Sequence, residues 1–384
     1  MSGYDHFYFL KKAWALYPGI TRPVSATFLG PHYRARSATR GPLRAGMDAL
    51  TGLLFHAWVP WRSASVQKKF GLDDAWRRRA IEIAHARFSD PNDIALYRIE
   101  RSEQFDHYIR RFEDAAINKR INPLGWSREC VLADKERFAE RCKSAGLPHP
   151  ETHAVVHRAG IDIISDPAGR PLVAKPVHGE GGDGVMLLDG CADASELHLK
   201  LAGLPTASGR IWLVQSRVDV HPDLADIALN ALPTVRIVTM FNENNRAEVV
   251  SATFRCASDP NARVDNMKAG GLIVPVDLDT GALGLACLGY GGDDHVVHPL
   301  TGGAIAGRRL PDWEKATALA RRAHDSAFDG YTLIGWDVAL TANEPLLIEG
   351  NCKPGVLMPQ RAARRGLGEG RYGELLAHHL ATKS

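Results

Sequence analysis

Apolar and polar positions alternate with two different periods along this chain. Up to about residue 120 the apolar residues recur at spacings of three and four, which predicts helices. The stretch 73–88 (DDAWRRRAIEIAHARF) sets Trp76, Ile81, Ile83, Ala84 and Phe88 at such spacings, with Asp73 and Asp74 where an N-cap and a first-turn acid belong. Pro91 interrupts it, and a second helix is predicted over 103–116 with Phe105, Tyr108, Ile109 and Phe112 on one face. Before residue 60, proline and glycine fall often and the apolar clusters are short, so the pattern is weak there. The turn Asn122-Pro123-Leu124-Gly125 precedes a third helix, about 133–145, which Gly146 and Pro148 stop. Beyond it the chain changes to short apolar runs between glycine clusters. These predict strands at 152–156, 172–176, 185–188, 211–214, 234–241, 247–254, 271–276, 333–340 and 346–350, with one helix, 312–328, opened near Pro311.

The fold class that follows is α+β, a mainly antiparallel sheet core behind a helical amino-terminal region, divided at about 1–120, 121–220 and 221–384. At 384 residues, 24% charged and 45% hydrophobic, the chain has the composition of a globular protein. The net charge of +3 is unevenly spread: residues 1–120 hold 20 Lys and Arg against 12 Asp and Glu. A basic amino-terminal third reads as a solvated helical surface, or as a face toward an anionic partner, membrane surface or acidic substrate. Six cysteines without a C-x-x-C pair are expected to be reduced thiols. No apolar run approaches the length of a membrane span, and the start lacks the order of a secretory signal, so a cytoplasmic location is expected.

Two segments carry chemistry. Residues 171–189, PLVAKPVHGEGGDGVMLLD, run from a strand ending in Lys175-Pro176 through Gly179, Gly181, Gly182 and Gly184 into a second strand. Glycines let backbone N–H groups approach phosphate oxygens, and the preceding lysine adds a charge. Neither the dinucleotide fingerprint nor the P-loop fits, since this loop opens no helix and its lysine comes first. A glycine-rich hairpin without ligand is the plain alternative. Residues 333–355, LIGWDVALTANEPLLIEGNCKPG, read as a hairpin. Pairing Leu340 with Leu346 sets Asp337 opposite Glu349, and Asn351 shares the Glu349 face. Three oxygen donors then converge as a hard-cation site of the kind Mg²⁺ uses, unless the face is simply the polar side of an edge hairpin. Arg236, inside the apolar strand 234–241, needs a buried partner, either a phosphate or an internal carboxylate. Arg255, with the segment Asp265-Asn266-Met267-Lys268-Ala269-Gly270-Gly271, can hold an anionic reacting group. His295 and His298 beside Asp293 and Asp294 read as a surface loop, His378 and His379 as unconnected neighbours, and the amino-terminal tryptophans and tyrosines as core.

Taken in order, DPNDIALYRI, LADKERFAERC, LVAKPVHGEGGDGV, LPTVRIVTM, VDNMKAGGLIVPVDLDTG, HPLTGGAIAGRRLPDW and IGWDVALTANEPLLIEGNCKPG resemble the sugar-transfer-associated, α-L-glutamate-ligase-like branch of the ATP-grasp superfamily, from about residue 90 to 360. The resemblance implies two lobes clasping ATP, the glycine flap in the first (121–220) and the Mg²⁺ hairpin in the second (221–384). It implies that Lys135 and Lys175 contact phosphates, that Gly181, Gly182 and Gly184 lie in the flap, and that Gln215 and Val218 offer backbone groups to adenine. Many relatives have glutamate at the Gln215 position. His221 or Asp223 would reach the ribose, Asn266 would lie beside the nucleotide, Arg236 and Arg255 would grip the transferring phosphoryl group, and Asp337, Glu349 and Asn351 would bind Mg²⁺.

The implied reaction is an ADP-forming carboxylate–amine ligation through an acylphosphate. Its partners would be ATP, a small-molecule or peptide carboxylate and an amine-type nucleophile, with no nucleic acid. Catalysis would be positioning and charge neutralisation, which suits lysines, arginines, carboxylates and a glycine lid. A kinase that stops at phosphoryl transfer and a non-catalytic nucleotide-binding module are the alternatives.

Overall fold

A computed structural model describes residues 27–382 apart from 180, 207–208, 266 and 268–269. Asn266, Lys268 and Ala269 therefore lie outside the described residues, as does the side chain of Phe112.

Six helices come first: α1 (Gly30–Ala38), α2 (Pro42–Phe70), α3 (Asp74–Arg87), α4 (Pro91–Tyr97), α5 (Arg111–Ile121) and α6 (Lys135–Ser144). Asp73 caps α3 by accepting the Trp76 N–H at 2.6 Å, and Asp134 caps α6 by accepting from Glu136 and Arg137. Pro91 does more than interrupt: it occupies the first turn of α4, where its missing N–H costs nothing. The single helix predicted over 103–116 is two elements. A 3₁₀ turn, Ser102–His107, ends at Tyr108, whose backbone is extended, and α5 begins only after Arg110. Glu113 folds back to accept the Arg110 N–H at 2.7 Å, so a residue read as mid-helix is part of a cap. The 29-residue α2, with Pro60 inside it, fills the region where the pattern was weak.

A five-stranded sheet follows: β1 (Thr152–His157), β2 (Gly160–Ile163), β3 (Leu172–Pro176), β4 (Met186–Leu188) and β5 (Trp212–Ser216), in order β2-β1-β5-β3-β4. Helix α7 (Ala194–Leu201) buries Leu197 and Leu201 with Val156, Leu172 and Val214 of this sheet. A seven-stranded sheet has the order β10-β9-β8-β7-β6-β11-β12. Its strands are β6 (Thr234–Phe241), β7 (Ala247–Cys256), β8 (Leu272–Pro275), β9 (Ala286–Leu288), β10 (Asp294–His295), β11 (Leu333–Ala339) and β12 (Leu346–Asn351). Every pairing in both sheets is antiparallel. The helices α8 (Trp313–Ser326), α9 (Leu357–Ala363) and α10 (Arg371–Thr382) complete the fold.

The larger sheet is covered on both faces. Val235, Ile237, Phe254, Ile334 and Trp336 pack with Leu319 and Phe328 under α8, and with Phe138 and Cys142 of α6. Val238, Met240 and Leu333 point the other way, into Ile117, Ile121, Leu375 and Leu376 of α5 and α10. This alternation is the period of two that a strand imposes, and it decides which face the remaining polar residues occupy.

Two expectations outside the site are corrected. The histidines near 295 are not a surface loop: His295 is in β10, while His298 is fully buried with Nε2 2.7 Å from the Ala257 carbonyl. Asp294 pairs with Arg98 and Arg364. Trp76, Tyr97 and Tyr108 are core, but Trp61 is 68% exposed. All six cysteines are free, as expected from their spacing.

Candidate functional site

Because Val235, Ile237, Phe254, Trp336 and Val338 go to the α8 core, their neighbours Thr234, Arg236, Arg255 and Asp337 must share the opposite face. The register places Asp337 directly across from Arg236, and Thr234 across from Arg255. Arg236 holds Asp337 in a two-point pair, Nε to Oδ1 and Nη2 to Oδ2 at 2.9 Å. Arg255 adds a contact to Asp337 Oδ1 at 3.0 Å and lies 3.5 Å from Asp265. Asp265 in turn accepts the Thr234 N–H and hydroxyl at 2.9 and 2.5 Å. The internal carboxylate left open for Arg236 is thus present. Asp265 likewise holds an arginine and does not face an anion. Burial opposes ionisation of Asp337, but the two guanidinium groups outweigh it and hold the carboxyl well below the usual range. Burial opposes the Arg255 charge too, and Asp265 and Asp337 reverse that and push its pKa up.

The smaller sheet supplies the facing wall. Lys175 sits on β3 opposite Leu213, and burial lowers its pKa to about 8, with Lys135 adding to the fall and Glu349 opposing it. The first turn of α6 carries Lys135, whose Nζ donates to the Gly179 carbonyl at 2.8 Å and lies 4.0 Å from Glu349. That contact ties the glycine loop to the hairpin. Gly181, Gly182 and Gly184 all have positive φ, from 75° to 78°. At Gly182 a Cβ would stand 2.5 Å from Val264 Cγ1, so the flap meets the loop before β8 at a point only glycine fits.

The hairpin reaches its predicted pairing by a different route. Ala339, not Leu340, pairs with Leu346, and a bulge between β11 and β12 takes up Ile348 so that Asp337 still faces Glu349. Asn351 Nδ2 is 3.3 Å from Glu349 Oε1. Glu349 keeps about a third of its side chain exposed, yet surrounding protein, and then Asp337 within hydrogen-bond reach, raise its pKa. Two crowded carboxylates and an amide oxygen fit a small hard cation that relieves their repulsion. Among the described residues no group of three or more His, Cys, Asp and Glu stands ready for a metal, so this set depends on its asparagine.

Between the walls lies a cleft of about 630 Å³. It is lined by Lys135, Lys175, Gly181, Gly182, Gln215, Val218, Arg236, Arg255, Asp337, Glu349 and Asn351 together. Gly184 and Asp223 are not among the lining residues. Gly184 packs at Pro176 and Arg210, and the Asp223 side chain is 76% exposed beside His221. The Gln215 side chain is committed to the interior, donating to Pro150 O and Thr152 Oγ1 at 3.1 Å each. Seven Lys and Arg line the space against four Asp and Glu, so it is cationic.

Three supports escaped the sequence reading. Asn122 donates to Leu333 O and Cys352 O at 2.8 and 2.9 Å and accepts from Thr332 N at 3.0 Å, which clamps the two open ends of the hairpin. Thr234 and Val264 complete the arginine cradle and the flap contact. Only Asn122 left a trace, as the polar residue opening an Asn-Pro turn.

The sequence model of the family described as sugar-transfer associated ATP-grasp matches residues 115–371. No curated protein matches the chain. Solved structures with similar folds include D-cycloserine synthetase, at 17% identity over 68% of this chain and 73% of that one, TM-score 0.38. D-alanine–D-alanine ligase from Bacillus anthracis matches at 13% identity over 66% and 69%, TM-score 0.39. The L-amino acid ligase from Bacillus licheniformis matches at 16% identity over 58% and 40%, TM-score 0.32.

Proposed function

This chain belongs to the sugar-transfer associated ATP-grasp family, and from that premise we propose that it is an ATP-dependent ligase joining a carboxylate to an amine-type nucleophile through an acylphosphate. The observation that carries the reading is the convergence, in one cationic cleft, of two lysines, two arginines, a glycine flap and an Asp–Glu–Asn set from six stretches of chain. Its volume lies within the ~300–1,000 Å³ of ordinary small-molecule sites.

In this reading Lys135 and Lys175 hold phosphate oxygens from one wall, and flap N–H groups close over them. Arg236 and Arg255, locked by Asp337 and Asp265, present fixed positive charge where the phosphoryl group moves, so little reorganisation accompanies transfer. The substrate carboxylate oxygen attacks the γ-phosphorus, the bond to the β,γ-bridging oxygen breaks, and ADP leaves. The amine then attacks the acyl carbon and phosphate departs. Asp337, Glu349 and Asn351 would hold the Mg²⁺ accompanying the nucleotide, which neutralises phosphate charge. Flap closure against Val264 excludes water from the acylphosphate.

The test is ADP release from ATP and Mg²⁺ across amino acids, peptides and sugar acids, with and without hydroxylamine. Carboxylate-dependent ADP release with a trapped hydroxamate supports ligation. ADP release that yields a stable phosphorylated acceptor and no amine-dependent product would make the protein a kinase, and rejects the ligase reading.

A further inference from the structure

We propose that the outward face of α2 is a docking surface for an anionic phospholipid bilayer, with the helix lying along the membrane plane. Helix α2 is apolar on two opposite sides. Asp48, Gly52, Phe55, Val59, Ser63 and Val66, spaced by three and four, form the side buried against the rest of the protein. Leu43, Met47, Leu50, Leu54 and Trp61 form a second stripe, at spacings of four, three, four and seven, half a turn away from the first. This second stripe is exposed by 85, 59, 60, 48 and 68%, and Leu53 beside it by 68%. Eighteen helical steps from Leu43 to Trp61 make it ~27 Å long. Single exposed leucines are ordinary, but a continuous row of six large apolar side chains is a surface that another phase covers.

Charge identifies that phase. Residues 27–72 carry seven Lys and Arg against one acid, Asp48, which is buried and paired with Arg40 and Arg44, while Arg62 pairs with Asp90 beyond the segment. Exposed Arg44 flanks the row, and exposed Lys68 continues it one heptad beyond Trp61. A second copy of the chain would set this basic surface against itself. An anionic bilayer takes the apolar row below the headgroups, keeps the long basic side chains at the phosphate level, and accepts an indole at the boundary. Among the described residues no helix is long and apolar enough to cross a membrane, which leaves α2 the geometry of an in-plane helix.

Flotation of the full chain with phosphatidylcholine vesicles, and with vesicles holding about one-third phosphatidylglycerol, tests this. Binding to the anionic vesicles, weakened by salt, is expected. Leu50→Glu/Leu54→Glu should cut the partition at least about tenfold, since charge replaces buried apolar area. Its melting temperature and its ATP-induced shift should match the parent, because neither position touches the core or the cleft. Trp61→Phe should abolish any blue shift of fluorescence on adding vesicles. Absence of binding to both vesicle types overturns the proposal, as does undiminished binding by the double variant. Self-association of the parent that the double variant loses, without vesicle binding, assigns the face to a second copy and likewise overturns it.

Discussion

At the scale of single residues, the cleft holds side chains whose ionisation is set against their surroundings. Glu349 has a raised pKa, so its ionised form costs the folded state stability. That cost appears as pH rises above the ordinary carboxyl range of about 4.3 and persists at neutrality. Glu349→Gln is therefore expected to raise the melting temperature of the nucleotide-free protein at pH 7, while lowering kcat/KM by more than about a hundredfold through loss of a proposed metal ligand. A fall in stability together with normal turnover would remove Glu349 from the proposed site. Asp337 behaves oppositely. Its lowered pKa gives stability present above about pH 4 and lost as pH falls through the depressed folded value. Asp337→Ala strands Arg236 and Arg255 without their shared partner and should cost about 3–5 kcal/mol in a denaturant titration. Lys175, at about 8, loses its charge just above neutrality. ATP affinity should decline as pH rises through that value, and Lys175→Met should flatten the profile at a low plateau. That these positions would gather in one cleft was legible in the sequence. That Arg236 spends its fork on Asp337 was not, since only the β6–β11 register brings them together.

At the scale of elements, most strands were legible because alternation and glycine punctuation are local signals; 172–176 and 234–241 match the observed β3 and β6 end to end. The hairpin shows the limit. A uniform ladder from Leu340–Leu346 and a bulged ladder from Ala339–Leu346 both set Asp337 against Glu349, and pattern alone does not separate them. Deleting Ile348 should remove the bulge yet keep Asp337 opposite Glu349 in a uniform ladder, so ATP-dependent activity should persist and far-UV circular dichroism keep its strand signal. The bounds of helix α2, inside the region read as helical, were not legible for a related reason. Its apolar residues lie on two opposite faces, so they average to no single stripe and read as short clusters. The 103–116 helix failed in the reverse direction, because Gln104 and Glu113 turn back to cap backbone N–H groups rather than continue the face.

At the scale of the whole molecule, the cleft exists because two antiparallel sheets face each other across the flap, and the hairpin is fastened from outside by Asn122. Asn122→Ala removes three hydrogen bonds to buried backbone groups, of which Cys352 O keeps the Asn118 amide, and should cost about 2 kcal/mol, with thermal melting as the check. Binding that spans both sheets stabilises them together, so ATP with Mg²⁺ at a hundred times its Kd should add about 2.7 kcal/mol. Because the lining is net positive, Mn²⁺ alone should bind weakly and bind well once ADP is present, which electron paramagnetic resonance of free Mn²⁺ reads directly. What the sequence determined by itself was local: the helical and strand periods, the glycine loop, the carboxylate spacing, and the ordered segments that mark the family. These need only neighbours within a few residues, where φ/ψ preference and side-chain period act. The tertiary structure alone decided the long-range pairings: which carboxylate answers which arginine, which glycine the flap packs on, and that one side of α2 remains bare. Those depend on groups about a hundred residues apart in the chain, whose meeting is set by sheet register and packing rather than by any local preference.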